Sequence, residues 1–187
     1  MKRVFIVHGW GGSPREGWFP WLKNELTHKG FSVFLLSMPR PKKPLITDWV
    51  SHLAKSVKNS DSETYFVGHS IGCQTILRYL EKVDTLVGGA VLVAPWLTLT
   101  GLETKEEKET AKSWLETPID FVHVKKIAKI HALFSDNDPF VSMENVRLFK
   151  QKLAAVTMIE HHKGHFTGDD DVILLHSVIT ALNELTG

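Results

Sequence analysis

The sequence predicts an α/β protein built on a mainly parallel sheet with helices on both faces. Two observations carry this. Short runs rich in β-branched and aromatic residues recur along almost the whole chain, and each is followed by a segment whose apolar residues repeat with helical period. The runs are apolar throughout rather than alternating, as expected of strands buried on both faces. The length, 187 residues, allows one sizeable core and is too short for two comfortable ones.

Taken in order, VFIV (residues 4–7) reads as a fully buried strand, followed by Gly11-Gly12-Ser13-Pro14 and a helical pattern at Trp18, Trp21, Leu22 and Leu26. FSVFLL (31–36) is the second strand. A proline-rich connection (39–44) leads from it to a helix carrying Trp49, Val50, Leu53 and Val57. TYFV (64–67) precedes a helix bearing Ile76, Leu77 and Leu80, and GAVLVA (89–94) is the fourth strand. IHALFS (130–135) pairs with a helix around Val146, Phe149 and Leu153. VTMIE (156–160) pairs with one around Val172, Leu175, Ile179 and Leu182. These make six strands in one domain spanning 1–187, with no repeat and no linker. The rhythm breaks only at 95–127, where the charged run TKEEKETAK lies between Trp96 and Trp114. That stretch reads as a small cap inserted over the carboxyl edge of the sheet.

The charge balance argues against nucleic acid as a partner. Lys and Arg total 22 against 21 Asp and Glu, and the longest basic runs are the pairs Lys42-Lys43 and Lys125-Lys126. The single cysteine, Cys73, excludes an internal disulfide and a thiolate metal cluster. Only four apolar residues follow Met1-Lys2-Arg3 before His8-Gly9, too few for the roughly 7–15 of a signal peptide. No run approaches the roughly 20 apolar residues of a membrane span. A cytoplasmic protein with no membrane partner is expected.

Gly68-His69-Ser70-Ile71-Gly72 carries the chemistry. It fits a Gly-x-Ser-x-Gly elbow, in which a serine on a sharp strand-to-helix turn projects its hydroxyl above the sheet in a strained conformation. Side chains two residues to either side would collide, which favours glycine at both places. The helix N-terminus beneath the serine favours the negative charge that develops in acyl transfer. The placement between TYFV and a helix makes Ser70 the candidate nucleophile.

With these residues in view, the chain resembles the α/β-hydrolase superfamily, and more closely its small serine hydrolases of the retinoblastoma-binding protein nine type. The resemblance spans nearly the full length. It rests on VFIVHGWGG, WFPWLKNEL followed by SMPRP, GHSIG, SDNDPFV and KGHF. It implies a three-layer α/β-hydrolase fold with a shortened sheet of about six strands and a compact cap. The Leu-x-Cys-x-Glu motif behind the namesake's name is absent, since Cys73 lies in Ile71-Gly72-Cys73-Gln74-Thr75. Retinoblastoma binding is therefore not carried over, and any protein partner is left open.

In that fold the triad runs Ser, then Asp or Glu, then His. Asp136 and Asp138 both follow IHALFS. The family's Asp-Pro-x-Val pattern falls on Asp138, while either aspartate suits a cap for the helix beginning near Ser142. His165, in Lys163-Gly164-His165-Phe166 after the last strand, is the expected base, with His161 and His162 nearby. Asp138 would fix its tautomer. The oxyanion hole would use the backbone N–H of Ile71. The match of His8-Gly9-Trp10 to the family pattern implies that of Trp10 as well, with His8 holding the loop.

The cluster His161, His162, His165, Asp169, Asp170 and Asp171 matches no ligand spacing such as His-Glu-x-x-His, so no metal and no cofactor is expected. Cys73 reads as a buried small residue. The expected activity is hydrolysis of short-chain carboxylic esters or related acyl compounds through an acyl-enzyme. Trp96 and Trp114 in the cap, with Trp10, would fill the space where a long acyl tail would lie. The reading from a different class is a protein- or ligand-binding module on a hydrolase scaffold.

Overall fold

The computed structural model describes residues 1–187. Six strands form one sheet: β1 (Arg3–Val7), β2 (Ser32–Leu36), β3 (Thr64–His69), β4 (Gly89–Val93), β5 (Ile130–Ser135) and β6 (Val156–Glu160). Their order is β2-β1-β3-β4-β5-β6, and all five pairings are parallel. The helices are α1 (Phe19–His28), α2 (Ile46–Val57), α3 (Ile71–Leu80), α4 (Lys105–Glu116), α5 (Phe121–Ile127), α6 (Glu144–Leu153) and α7 (His176–Thr186). No helix is long and apolar enough to cross a membrane.

Burial explains which runs were apolar throughout. Every residue of β3, β4 and β5 is buried, whereas the edge strands β2 and β6 expose side chains such as Phe34 and Ile159. Right-handed crossovers then place the helices. The step from β1 to β2 runs opposite to every later step, so α1 lies on one face and α2, α3, α5 and α6 on the other. The last helix, α7, packs on β4 and β5 and reaches α1 through His176, whose ring meets Trp21 at 4.9 Å.

This topology dictates where a site can form. The connections leaving the adjacent strands β1 and β3 diverge to opposite faces, which opens a crevice beyond their carboxyl ends. The loop after β1 and the turn after β3 both border it. Within 95–127, Thr104 opens α4 with a capping box, its hydroxyl accepting from the Glu107 N–H while the Glu107 carboxylate accepts from the Thr104 N–H.

Candidate active site

Strand β3 runs through His69 and α3 begins at Ile71, so Ser70 alone makes the turn. Its backbone sits at φ 52°, ψ −118°, in the positive-φ region that a residue with a side chain adopts only under constraint. The constraint is visible: the Ser70 N–H donates to the Val93 carbonyl at 2.9 Å, and its own carbonyl accepts from the Cys73 N–H at 2.9 Å. The flanking glycines are required by packing. A β-carbon on Gly68 would lie 2.9 Å from the Cys73 nitrogen. On Gly72 it would lie 2.4 Å from the Val7 carbonyl oxygen, so there the obstacle is the end of β1 rather than the turn itself.

Ser70 Oγ lies 2.9 Å from His165 Nε2, and His165 Nδ1 lies 2.8 Å from Asp138 Oδ2. A carboxylate accepts only, so Nδ1 carries the hydrogen and Nε2 is free to accept from the serine hydroxyl. The Asp138 side chain is 1% exposed. Its other oxygen accepts from the Phe140 and Val141 N–H groups, at 2.9 and 3.0 Å.

Asp136, the competing aspartate, turns outward. It accepts from the His162 N–H at 2.9 Å and pairs with His161 Nδ1 at 2.6 Å; these contacts hold its carboxyl below the usual carboxylate range. Asp136 is one part of a larger fastening. Ser135 Oγ accepts from the Lys163 N–H at 3.0 Å, and Asn137 Oδ1 from the Gly164 N–H at 2.9 Å. Four consecutive side chains, from Ser135 at the end of β5 to Asp138, thus grip the loop that ends in His165.

Asp170 holds that loop from the other side, accepting from the N–H groups of His165 and Thr167 and from the Thr167 hydroxyl. Burial pushes the Asp170 carboxyl up, but these hydrogen bonds outweigh it and leave it below its ordinary value. In the sequence, Asp170 stands out only as part of a cluster without metal-ligand spacing. The signal available was Thr167-x-x-Asp170, a capping pattern that the structure uses to open a 3₁₀ turn at Gly168–Asp170.

Across from Ser70 runs the loop after β1. A β-carbon on Gly9 would lie 3.5 Å from Ser70 Cβ, so this backbone approaches the nucleophile closely. His8 Nε2 accepts from the Met38 N–H at 3.1 Å, so Nδ1 carries the hydrogen and donates to the Gly9 carbonyl at 2.8 Å. Burial lowers the His8 pKa and keeps this neutral form. With that carbonyl engaged, the N–H of the same trans peptide, on Trp10, points the opposite way and donates to no protein acceptor. Ile71 is the first residue of α3, so its N–H lacks an intrahelical partner as well.

A cleft of about 930 Å³ opens over Ser70 and His165. Trp10 and Trp96 line it, together with Phe140 and the rim residues Lys42, Glu106 and Asp169. Trp96 is held there by its carbonyl, which accepts from Gln74 Nε2 at 2.6 Å. The expectation for Trp114 is corrected. Trp114 is as buried as Trp96 but does not border the cleft; its N–H donates to the Pro44 carbonyl at 3.1 Å, and its ring meets Trp49 and the Arg78 guanidinium. It is core on the buried face of α4 and no wall of the cleft. Trp114→Ala is therefore expected to lower stability by about 3–5 kcal/mol in urea titrations while leaving the preferred acyl length unchanged. A shift of that preference toward longer chains would restore Trp114 to the cleft.

A family model described as serine hydrolase matches residues 4–184. The Bacillus subtilis protein YdeN is 31% identical over 97% of this chain and 94% of its own. Serine hydrolase RBBP9 of Rattus norvegicus is 26% identical over 88% and 87% respectively. The crystal structure of the ydeN gene product superposes with a TM-score of 0.91 at 28% identity, covering 100% of this chain and 99% of that one. A carboxylesterase of the thaumarchaeon Nitrososphaera gargenis superposes at 0.71 with 13% identity, covering 99% and 91%, a likeness of fold alone. The architecture is that of the α/β-hydrolases.

Proposed function

Since the chain belongs to the serine hydrolase family, we propose that it cleaves short-chain carboxylic esters through an acyl-enzyme on Ser70, with His165 and Asp138 completing a triad. The observation that carries this is the unbroken chain Asp138–His165–Ser70, at 2.8 and 2.9 Å, beside two N–H groups without partners. His165 Nε2 takes the hydroxyl proton as Oγ bonds to the ester carbonyl carbon. The carbonyl oxygen becomes an oxyanion that Trp10 and Ile71 N–H groups stabilise, each such donor contributing roughly 10²–10³ in rate. As the C–O bond to the alcohol breaks, the imidazolium returns its proton to the departing oxygen. Water, deprotonated by the same Nε2, then releases the acid and restores Ser70.

The preference for short acyl groups follows from the character of the walls. Bulky Trp10, Trp96 and Phe140 take up room in the cleft, and Glu16, Lys42, Glu106 and Asp169 put charge among its lining. A long tail lying against such groups is not transferred to an apolar surface. Each methylene left in water forgoes roughly 0.8 kcal/mol, a factor of about four in kcat/KM.

Peptide mass spectrometry after fluorophosphonate treatment should locate a single adduct on Ser70. Across p-nitrophenyl esters from acetate to palmitate, below micelle-forming concentrations, kcat/KM should peak at about two to four carbons. A rise continuing past octanoate would overturn the short-acyl assignment. A folded protein that takes no adduct would instead be a binding module on this scaffold.

A further inference from the structure

The residue before the nucleophile is a buried histidine that the proton relay does not use. His69 ends β3, its ring lying edge-on to Trp18 and Phe19 with centroids 6.3 and 6.2 Å away, and 5.0 Å from the ring of His165. Its Nε2 stands 2.7 Å from the carbonyl oxygen of His165. A carbonyl can only accept, so Nε2 carries the hydrogen and donates. Burial, with His165 adding to it, holds the His69 imidazole down to about 3, so it remains a neutral donor wherever ester hydrolysis is measured.

The far side of the same ring meets the loop that carries the Trp10 N–H. A β-carbon on Gly9 would stand 2.7 Å from His69 Nδ1 and 3.2 Å from Cε1, so the loop is seated against the ring with no room for a side chain. The remaining main-chain groups around His165 are held too. Its N–H donates to Asp170, and the next carbonyl, that of Phe166, accepts from the Trp18 indole at 3.0 Å. Of these partners, only His69 touches both the backbone of the base and the loop opposite.

Resting on the triad reading above, we propose that His69 is a positioning residue. Its Nε2–H, donated to the His165 carbonyl, sets the backbone from which the imidazole reaches Ser70, and its ring sets how closely the Gly9–Trp10 peptide approaches. Its loss acts through geometry. A displacement of about 1 Å in a reacting group costs on the order of 10²-fold in rate.

Two variants separate the donor from the ring. His69→Phe keeps the ring and removes the donor, and His69→Gln restores an amide N–H at similar reach. With p-nitrophenyl acetate, His69→Phe should lower kcat about 10- to 100-fold with KM within about twofold. His69→Gln should recover most of that loss. Equal losses in the two variants, or a change confined to KM, would overturn the role.

A measurement on the wild type keeps the test independent of whether His69→Phe folds. With histidine-selective ¹⁵N labelling, the His69 signals, assigned by their absence in His69→Gln, should show an Nε2–H tautomer that does not titrate between pH 5 and 8. An Nδ1–H tautomer, or titration in that range, would overturn the proposal. Failure of the underlying reading looks different: the wild type itself would take no fluorophosphonate adduct at Ser70.

Discussion

Ser70→Ala is expected to abolish fluorophosphonate labelling and to lower kcat for ester hydrolysis by roughly 10⁶, the scale seen when a triad serine is removed. The residual rate is expected to stay above the uncatalysed one, since the Trp10 and Ile71 N–H groups remain. No nearby group can replace Oγ. Cys73 lies on the first turn of α3, but it is buried with its thiol donating to the Val93 carbonyl at 3.3 Å, and burial pushes that thiol well above its usual pKa. The fold should tolerate the change. The strain at φ 52° is borne by backbone contacts with Val93 and Cys73, which an alanine keeps, and the only side-chain hydrogen bond lost is that to His165. Intact-protein mass, circular dichroism and initial rates form the check. An adduct that persists on the alanine variant would place the nucleophile elsewhere.

How much of this could be read from sequence depends on whether the controlling contacts are local. The central strands were legible because burial on both faces leaves few polar positions, and none in GAVLV of β4. The elbow was legible because strand, turn and helix are contiguous from Thr64 to Leu80. Trp114 was not, because composition cannot tell a cleft wall from core. What decides is the Pro44 carbonyl, seventy residues away, that satisfies its indole N–H.

The loop bearing His165 was legible as a loop but not as a rigid one. Its order comes from Ser135, Asp136 and Asn137, each a polar side chain that reads as ordinary turn chemistry until β5 and β6 are set side by side in parallel register. The same holds for His69 and Asp170, whose partners in the His165 backbone depend on where that loop comes to rest.

Asp138 and Asp136 mark the sharpest case, because they stand two residues apart on one turn and differ only in direction. Asp138→Asn is expected to lower kcat by about 10⁴, the loss typical when a triad aspartate becomes an amide. The geometry gives the reason. The Phe140 and Val141 N–H groups both donate to Asp138 Oδ1, so an asparagine would keep its carbonyl oxygen there and turn its NH₂ toward His165 Nδ1. Facing a donor, Nδ1 must give up its hydrogen, and the imidazole moves it to Nε2. That nitrogen then cannot take the proton of Ser70. Asp136→Asn faces no such conflict. Its oxygen can still accept from the His162 N–H, and what it loses is a pair with His161, whose side chain is 76% exposed. Surface pairs of that kind contribute little, so kcat should stay within about threefold of wild type. Initial rates for both variants at one pH, with folding verified by circular dichroism, decide the matter. A larger loss in Asp136→Asn than in Asp138→Asn would mean that the acid orienting His165 is Asp136, reached only after the loop from Ser135 to Asp138 turns over.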